Sequence, residues 1–380
     1  MRPLEGIKII EMCQIAAGPF CGMLLADMGA DVIKVEHPSG GDGMRQWPPI
    51  TDGYSENFAS VNRNKRSVTI DLKSEEGIAT AKRLIASAHV LVENFRPGVL
   101  DRLGLGFEKI RAECPGLVYC SISAYGQSGP RSRDGGFDLT VQAMAGVMSV
   151  TGEPDAPPVK CGVPISDFAS GLYGAFAITA ALREAERSGE AIHVDVPMLS
   201  ATLGIAALQT SEFFGKGTDP RPLGSAHPRN APYQAFMAAD DYFAMAAGND
   251  RLWASVCDVV DMPELKSDPR FVSTMDRAAN QGELKTLLEK RFAAASAVQW
   301  LARFNEVGVP CAPINKYSEV LADEQVRHLE LVQSIELPNG TQTQTVVSPI
   351  RLNGQAGEIF RRPPNLGEHN DEVLGEASPE

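Results

Sequence analysis

The first two hundred residues alternate short apolar runs with helical periodicity, and this alternation constrains the fold more than any other feature. "IKIIEM" (7–12) is followed by the loop "CQIAAG", and "PFCGMLLADMG" reads as a helix ended by Gly29. "DVIKVE" (31–36) is a second strand, and "VTIDLK" (68–73) a third. "KSEEGIATAKRLIASA" (73–88) is an amphipathic helix with acidic residues in its first turn. "HVLVENF" and "LVYCSISAYG" are two more strands, and 138–152, 168–187 and 197–215 read as helices. Strands separated by helices pair in parallel, with the helices on the sheet faces. The expected class is therefore α/β. Ligands in such sheets sit beyond the C-terminal ends of the strands, which directs attention to loops 13–18, 36–48, 94–98 and 124–136.

The texture changes after residue 215. The segment 216–232 is rich in Gly and Pro and reads as a linker. Residues 233–318 are more polar and are expected to form a second, smaller domain. Residues 1–215 are the large domain, and 319–380 a returning linker and C-terminal segment. "LPNGTQ" (337–342) carries an Asn-Gly hairpin signal.

Charge excludes some partners. The formal net charge is −13. A nucleic-acid or anionic-membrane binder needs a basic face, so neither partner is expected. The seven cysteines are scattered without a CxxC pair, so free thiols in a reducing cytoplasm are expected. The N-terminus lacks the long apolar stretch of a signal peptide. The uncharged runs 168–182 and 196–210 fall short of the ~20 residues a bilayer span needs, and read as buried helices.

Several constellations could carry chemistry. The first loop has Gly18 and Gly22 but not the G-x-G-x-x-G spacing. Glu36 ends the second strand, where a dinucleotide fold often keeps an acid for a ribose hydroxyl. Together these make half a nicotinamide fingerprint. Arg63, Lys65 and Arg66 precede a strand, and Lys34, Arg45, Arg96 and Arg102 lie on or near loops of the same half. A polyphosphate ligand needs such donors, although each residue alone reads equally as a solvated rim. No histidine pair has metal-ligand spacing, so no metal site is expected. No G-x-S-x-G elbow is present.

Asp167 stands before an uncharged run from Phe168 to Leu182. Ser166 or Asp167 could be the N-cap of that helix, a role worth about 1 kcal/mol. The same position serves chemistry. A carboxylate at a helix N-terminus is held ionised by the dipole, and in a dry pocket it can attack an activated acyl group. Pattern alone leaves both readings open.

The chain resembles the family III CoA-transferases, the group that includes formyl-CoA transferase, carnitine CoA-transferase and the α-methylacyl-CoA racemases. The resemblance runs through "PLEGIKIIEM", "AGPFCGMLLADMGADVIKVEHPSGGD", "NRNKRSVTIDLKSEEG", "LVENFRPGVLDRLGL", "YCSISAYGQSGP", "GFDLTVQAMAG", "HPRNAPYQAF", "GVPCAPIN" and the terminal "LGEHNDEVL". It implies a large Rossmann-like domain and a small α/β domain joined by two linkers, in an interlocked homodimer. It places the catalytic aspartate on Asp167. It places CoA contacts on Ala16, Ala17, His37, Leu72, Lys73, Asn94, Phe95, Arg96, Arg102, Phe137 and Asp138. His37 stands where several members carry Arg.

Two departures bear on the reaction. The racemases carry a histidine where this chain has Phe137, and Phe cannot move a proton, so transfer is favoured over racemisation. "MAAGNDRLW" keeps only Gly248 of the glycine-rich loop of formyl-CoA transferase, so an oxalate/formate preference is not supported. The reaction implied is transfer of CoA from an acyl-CoA to a carboxylic acid through an aspartyl anhydride and an aspartyl-CoA thioester. CoA is then a substrate, and no tightly bound cofactor is expected. Backbone amides of "CQIAAG" are candidate oxyanion donors. Arg45 is a candidate to hold a dicarboxylate, which points to succinyl-CoA or a similar donor. A racemase, a nicotinamide oxidoreductase and a non-catalytic CoA-binding protein remain the alternatives at this point.

Overall fold

The computed structural model describes residues 1–376. They form two compact units, one of residues 1–147, 160–218 and 324–376, the other of residues 148–159 and 219–323.

The first unit is built on six parallel strands: β1 (Lys8–Met12), β2 (Asp31–Glu36), β3 (Lys65–Thr69), β4 (Val90–Glu93), β5 (Val118–Ser123) and β6 (Ile192–Pro197). Their order across the sheet is β3-β2-β1-β4-β5-β6, the 3-2-1-4-5-6 order of doubly wound dinucleotide-binding sheets. Helices cover both faces, so β1 to β5 are buried nearly throughout, all six residues of β5 among them, while the edge strand β6 is mostly half-buried or exposed. The helices used below are α1 (Ala17–Asp27), α2 (Glu75–Ala86), α3 (Asp138–Met144), α4 (Ile165–Ser188) and α5 (Met198–Ile205). In α2 the Ser74 hydroxyl accepts from the Gly77 N–H at 2.9 Å, and Glu75 and Glu76 occupy the first turn.

The boundaries differ from the sequence reading in instructive places. β3 begins at Lys65, not at Val68, because the cations at its start are neutralised inside the protein. The helix expected over 138–152 breaks at Gly146, whose φ of 80° interrupts it. The run 197–215 breaks at Ala206 into two helices. α4 begins at Ile165, with Pro164, which has no capping side chain, at its N-cap, so neither Ser166 nor Asp167 is the cap.

The C-terminal segment completes the sheet edge. The His369 N–H bonds the Ser67 carbonyl at 2.9 Å, and Asn370 Oδ1 accepts from the Thr69 N–H at 2.8 Å. These bonds cover the exposed side of β3. The Asn-Gly turn joins Val332–Glu336 to Gln342–Val346 as an antiparallel pair.

The second unit has a three-stranded antiparallel sheet of Tyr233–Met237, Tyr242–Ala246 and Cys311–Pro313. Phe236, Phe243, Phe292, Trp300 and Phe304 interlock beneath it. Residues 219–232, expected as linker, belong to this unit. Gly224 bonds Gly152 at 2.8 Å, and the buried Arg277 donates to the Ala231 carbonyl at 2.8 Å.

In the first unit α4 lies directly on α1. Small residues are frequent on the buried side of α4, and two of them, Gly171 and Gly174, face α1. A Cβ at Gly171 would stand 2.8 Å from the Ala17 carbonyl oxygen and 2.9 Å from the Phe20 ring. A backbone carbonyl cannot swing aside, so Gly171 sets the spacing of the two helices. Gly171→Ala is expected to lower stability by roughly 1–3 kcal/mol, as overpacking does. Thermal or urea denaturation would measure it, and an unchanged midpoint would contradict this account of the packing.

Candidate active site

The strand order creates a crevice at its switch point. β1 and β4 are neighbours, and the helices that follow them pass to opposite faces of the sheet. The loops leaving them, 13–16 and 94–97, are tied together by Asn94. Its Oδ1 accepts from the Gln14 N–H at 2.9 Å, and its Nδ2 donates to the Gln14 carbonyl at 2.8 Å. Ile15 holds a φ of 68°, an unfavourable conformation for a β-branched residue. Its N–H is caught by Asp42 Oδ1 at 2.9 Å. The chain then enters α1, whose first turn has no side-chain cap. The N–H groups of Ala17 and Gly18 therefore have no intrahelical acceptor.

α4 brings Asp167 to the same crevice. Its first turn is held from outside by α3. Asp138 Oδ1 accepts from the Ser166 N–H at 2.9 Å, and Asp138 Oδ2 accepts from Gln142 Nε2 at 2.7 Å. Gln142 Oε1 in turn accepts from the Cys161 N–H at 2.9 Å. The capping role that sequence assigned to Ser166 or Asp167 thus falls to Asp138, from another element.

These pieces enclose a cavity of about 370 Å³, lined among others by Ala16, Ala17, Asn94, Phe95, Arg96, Phe137 and Asp167. A second cavity of about 280 Å³ is lined by His37, Leu72, Lys73 and again Phe95. Gln14 and Phe95 line both, so the two adjoin. Ten of the twelve residues singled out in sequence thus line one cavity or the other. Arg102 lines neither and is exposed at the end of Val99–Arg102. Asp138 lines neither and acts on the Ser166 amide. Phe137 is 74% exposed, with its N–H on Thr140 Oγ1 at 2.9 Å.

Most of the basic cluster is elsewhere. Arg63 pairs with Asp27 through two bonds of 3.1 and 2.7 Å. Lys65 pairs with Glu11 at 2.8 Å, and Lys34 with Glu11 and Asp42 at 3.0 and 2.9 Å. Arg66 pairs with Asp31 and Glu372. Arg45 grips Glu36 through two bonds of 2.7 Å and lies over the Phe58 ring. None of these five is free for a ligand, and Arg45 cannot hold a dicarboxylate while it holds Glu36. Glu36 is equally committed. Burial alone would raise its carboxyl, but Arg45, Lys34 and Ser67 bring it down to about 2. It is not an open acceptor for a ribose hydroxyl. Lys73, Arg96 and Arg102 make no ion pair among the described residues.

The electrostatics of Asp167 also differ from expectation. Burial, and then the nearby Asp138 charge, push its carboxyl up to about 7 rather than leaving it fully ionised. The residues that sequence reasoning missed are Asp42 and Gln142, which touch the backbone of the site loops rather than the cavity.

The chain belongs to the family described as CoA-transferase family III, which it matches over residues 4–370. It is an enzyme of that class, a CoA-transferase. It is 39% identical to the succinate–glutarate CoA-transferase of Agrobacterium fabrum, over 98% of this chain and 95% of that protein. It is 37% identical to the human succinyl-CoA:glutarate CoA-transferase, over 99% of this chain and 86% of that protein. Among solved structures, a CaiB/BaiF family protein from Brucella suis superimposes with a TM-score of 0.88 at 38% identity, covering 99% of both chains.

The raised Asp167 carboxyl has a pH signature. Only the ionised form is nucleophilic, so kcat/KM should rise as pH passes upward through about 7. Asp138→Asn removes the neighbouring charge and should move that limb to lower pH. The folded state also binds more protons than the unfolded one between the ordinary value of 3.8 and about 7, so this group costs stability as pH rises through that window. Asp167→Asn is expected to stabilise the protein at pH 8 by roughly 1–3 kcal/mol and to have little effect at pH 3.5. Equal gains at both pH values in thermal denaturation would contradict this.

Proposed function

We propose that this enzyme transfers CoA from succinyl-CoA to a dicarboxylic acid such as glutarate, with Asp167 as the nucleophile. The observation that carries the reading is one cavity in which the Asp167 carboxyl is matched with the uncapped first turn of α1. The substrate pair follows the names of its relatives, a succinate–glutarate and a succinyl-CoA:glutarate CoA-transferase.

The steps follow from that pairing. An Asp167 oxygen attacks the thioester carbonyl, the C–S bond breaks, and CoA leaves as the thiolate. The product is an aspartyl–succinyl anhydride. The thiolate, still bound, attacks the Asp167 carbonyl and expels succinate, leaving an aspartyl-CoA thioester. A carboxylate of the acceptor attacks that thioester and releases the thiolate again. The thiolate then attacks the acceptor's acyl carbon, giving the new CoA ester and free Asp167. Each step passes through an oxyanion. The N–H groups of Ala17 and Gly18 are the donors for it, at a helix end that favours negative charge.

CoA itself spans the two adjoining cavities. The second, with His37, Leu72 and Lys73, takes the nucleotide end. Lys73, Arg96 and Arg102 are cations left unpaired near this crevice, and they meet the phosphates. Asn94 contributes through its grip on Gln14, and Asp138 through the Ser166 amide. The enzyme works as an interlocked homodimer without a tightly bound cofactor. An exposed apolar face of Leu172, Tyr173, Phe176 and Ile205, with Phe176 72% exposed, is the surface a second copy would cover. All seven cysteines are free, in keeping with a reducing cytoplasm.

The test is direct. Enzyme with succinyl-CoA and glutarate should yield glutaryl-CoA and succinate by mass spectrometry. Asp167→Ala should lose at least about 1,000-fold in turnover, the scale for removing a covalent nucleophile, while calorimetry shows CoA still bound. Hydroxylamine should trap an adduct on wild-type Asp167 and none on the variant. Near-normal turnover of Asp167→Ala would sink the mechanism.

A further inference from the structure

The loop that faces Asp167 rests on a buried cation. Lys34 is fully buried; its ammonium donates to Glu11 Oε1 at 3.0 Å and to the Cys13 carbonyl at 2.7 Å, and forms an ion pair with Asp42 Oδ2 at 2.9 Å. Lys65, also fully buried, donates to Asn62 Oδ1 and the Pro19 carbonyl and forms an ion pair with Glu11 Oε2, all at 2.8 Å. Two lysines and two carboxylates thus form a neutral cluster beneath β1. Its contacts with the backbone fall on the segment that opens the cavity. Cys13 is held by Lys34, Ile15 by Asp42, and Pro19 by Lys65.

A β-branched residue at φ 68° persists only where its surroundings over-determine it. Here the strained residue is bracketed on both sides. Removing the Cys13 contact would free the loop to relax toward an ordinary backbone, and the α1 amides would turn with it. Buried ion clusters are weak sources of net stability, because desolvation offsets their attraction. Four charges placed under this loop are better explained by what they hold in place.

We propose that Lys34 is a positioning residue for CoA transfer: by fixing the Cys13 carbonyl and anchoring Asp42, it aims the first-turn amides of α1 at the oxyanion formed on Asp167 and substrate. The proposal rests on the transferase reading above. Lys34 touches neither substrate nor Asp167 and acts through the backbone it holds. Burial opposes its charge, but Asp42 and Glu11 outweigh that and keep it above the usual lysine range.

The double variant K34M/D42N tests it. The substitution removes one charge of each sign and leaves Glu11 with Lys65, so no unpaired charge is buried. Asp42→Asn keeps a side-chain oxygen to accept from the Ile15 amide, while the Cys13 hold and the anchor on Asp42 that Lys34 supplies are both lost. The full-length variant should fold, by circular dichroism. It should keep KM for succinyl-CoA within about 3-fold and lose about 100-fold in kcat, the scale for a misplaced oxyanion donor. Amide hydrogen exchange over residues 13–20 should quicken. K34Q/D42N, whose amide can donate to the Cys13 carbonyl, should recover about 10-fold of the lost rate. A folded K34M/D42N with kcat within 3-fold of wild type overturns the proposal, as does unchanged exchange over 13–20. Loss of fold in both variants overturns it too, because Lys34 would then serve stability alone. Failure of the transferase reading is separate: it would show as a wild type that makes no CoA ester with any donor and acceptor, whatever the exchange result.

Discussion

Two helices can share one active site only if their ends meet, and here glycine makes that possible. α4 crosses α1 at Gly171 and Gly174, where a Cβ would meet the Ala17 carbonyl, the Phe20 ring and Cys21. On its other side α1 settles onto the sheet through Gly18 and Gly22. A Cβ at Gly22 would lie 1.9 Å from Glu11 Oε2, and one at Gly18 would lie 2.4 Å from Cys13 Sγ. The spacing of helix, helix and strand is therefore fixed by absent side chains. That spacing sets the first turns of α1 and α4 on the same cavity, where one offers amides and the other a carboxylate.

The ion pairs follow from the same compaction. With α1 so close to the sheet, Glu11 has no route to water and needs cations beside it. Lys34 and Lys65 arrive from the adjacent strands β2 and β3, in positions that a solvent-facing lysine would leave empty. Their spare donors then go to backbone carbonyls of the loop and of α1. The charge cluster and the strained loop are thus one arrangement seen from two sides. The glycines permit it and the ammonium groups hold it.

This explains what was legible in the sequence. Periodicity marked the parallel sheet, and the strand-end rule marked loops 13–18, 94–98 and 124–136, all of which contribute to the Asp167 cavity. These are local patterns, and local patterns survive into the fold. The basic residues misled because a lysine in a strand reads as exposed unless its partner is known. The partner of Lys65 is Glu11, 54 positions away in the chain, and that of Arg66 is Glu372. The cap of α4 was missed for a similar reason: Asp138 serves it across 28 positions. Long-range polar pairing leaves no period to read. The Asn-Gly hairpin and the Ser74 cap were readable because donor and acceptor lie within a few residues.

The removal of cations into the interior has a chemical consequence at Asp167. A lysine or arginine beside that carboxyl would hold it ionised at any neutral pH, but would also make it a weaker base and a weaker nucleophile. In this site the groups that α1 turns toward the Asp167 cavity are backbone amides of an uncapped first turn, which carry partial rather than full charge. Asp138 pushes in the opposite direction, toward a more basic Asp167. Burial, and then Asp138, brings the carboxyl to about 7, where it is substantially ionised near neutrality. A site that met CoA with a dense ring of cations would give up this balance. Here Lys73, Arg96 and Arg102, which make no ion pair among the described residues, are exposed.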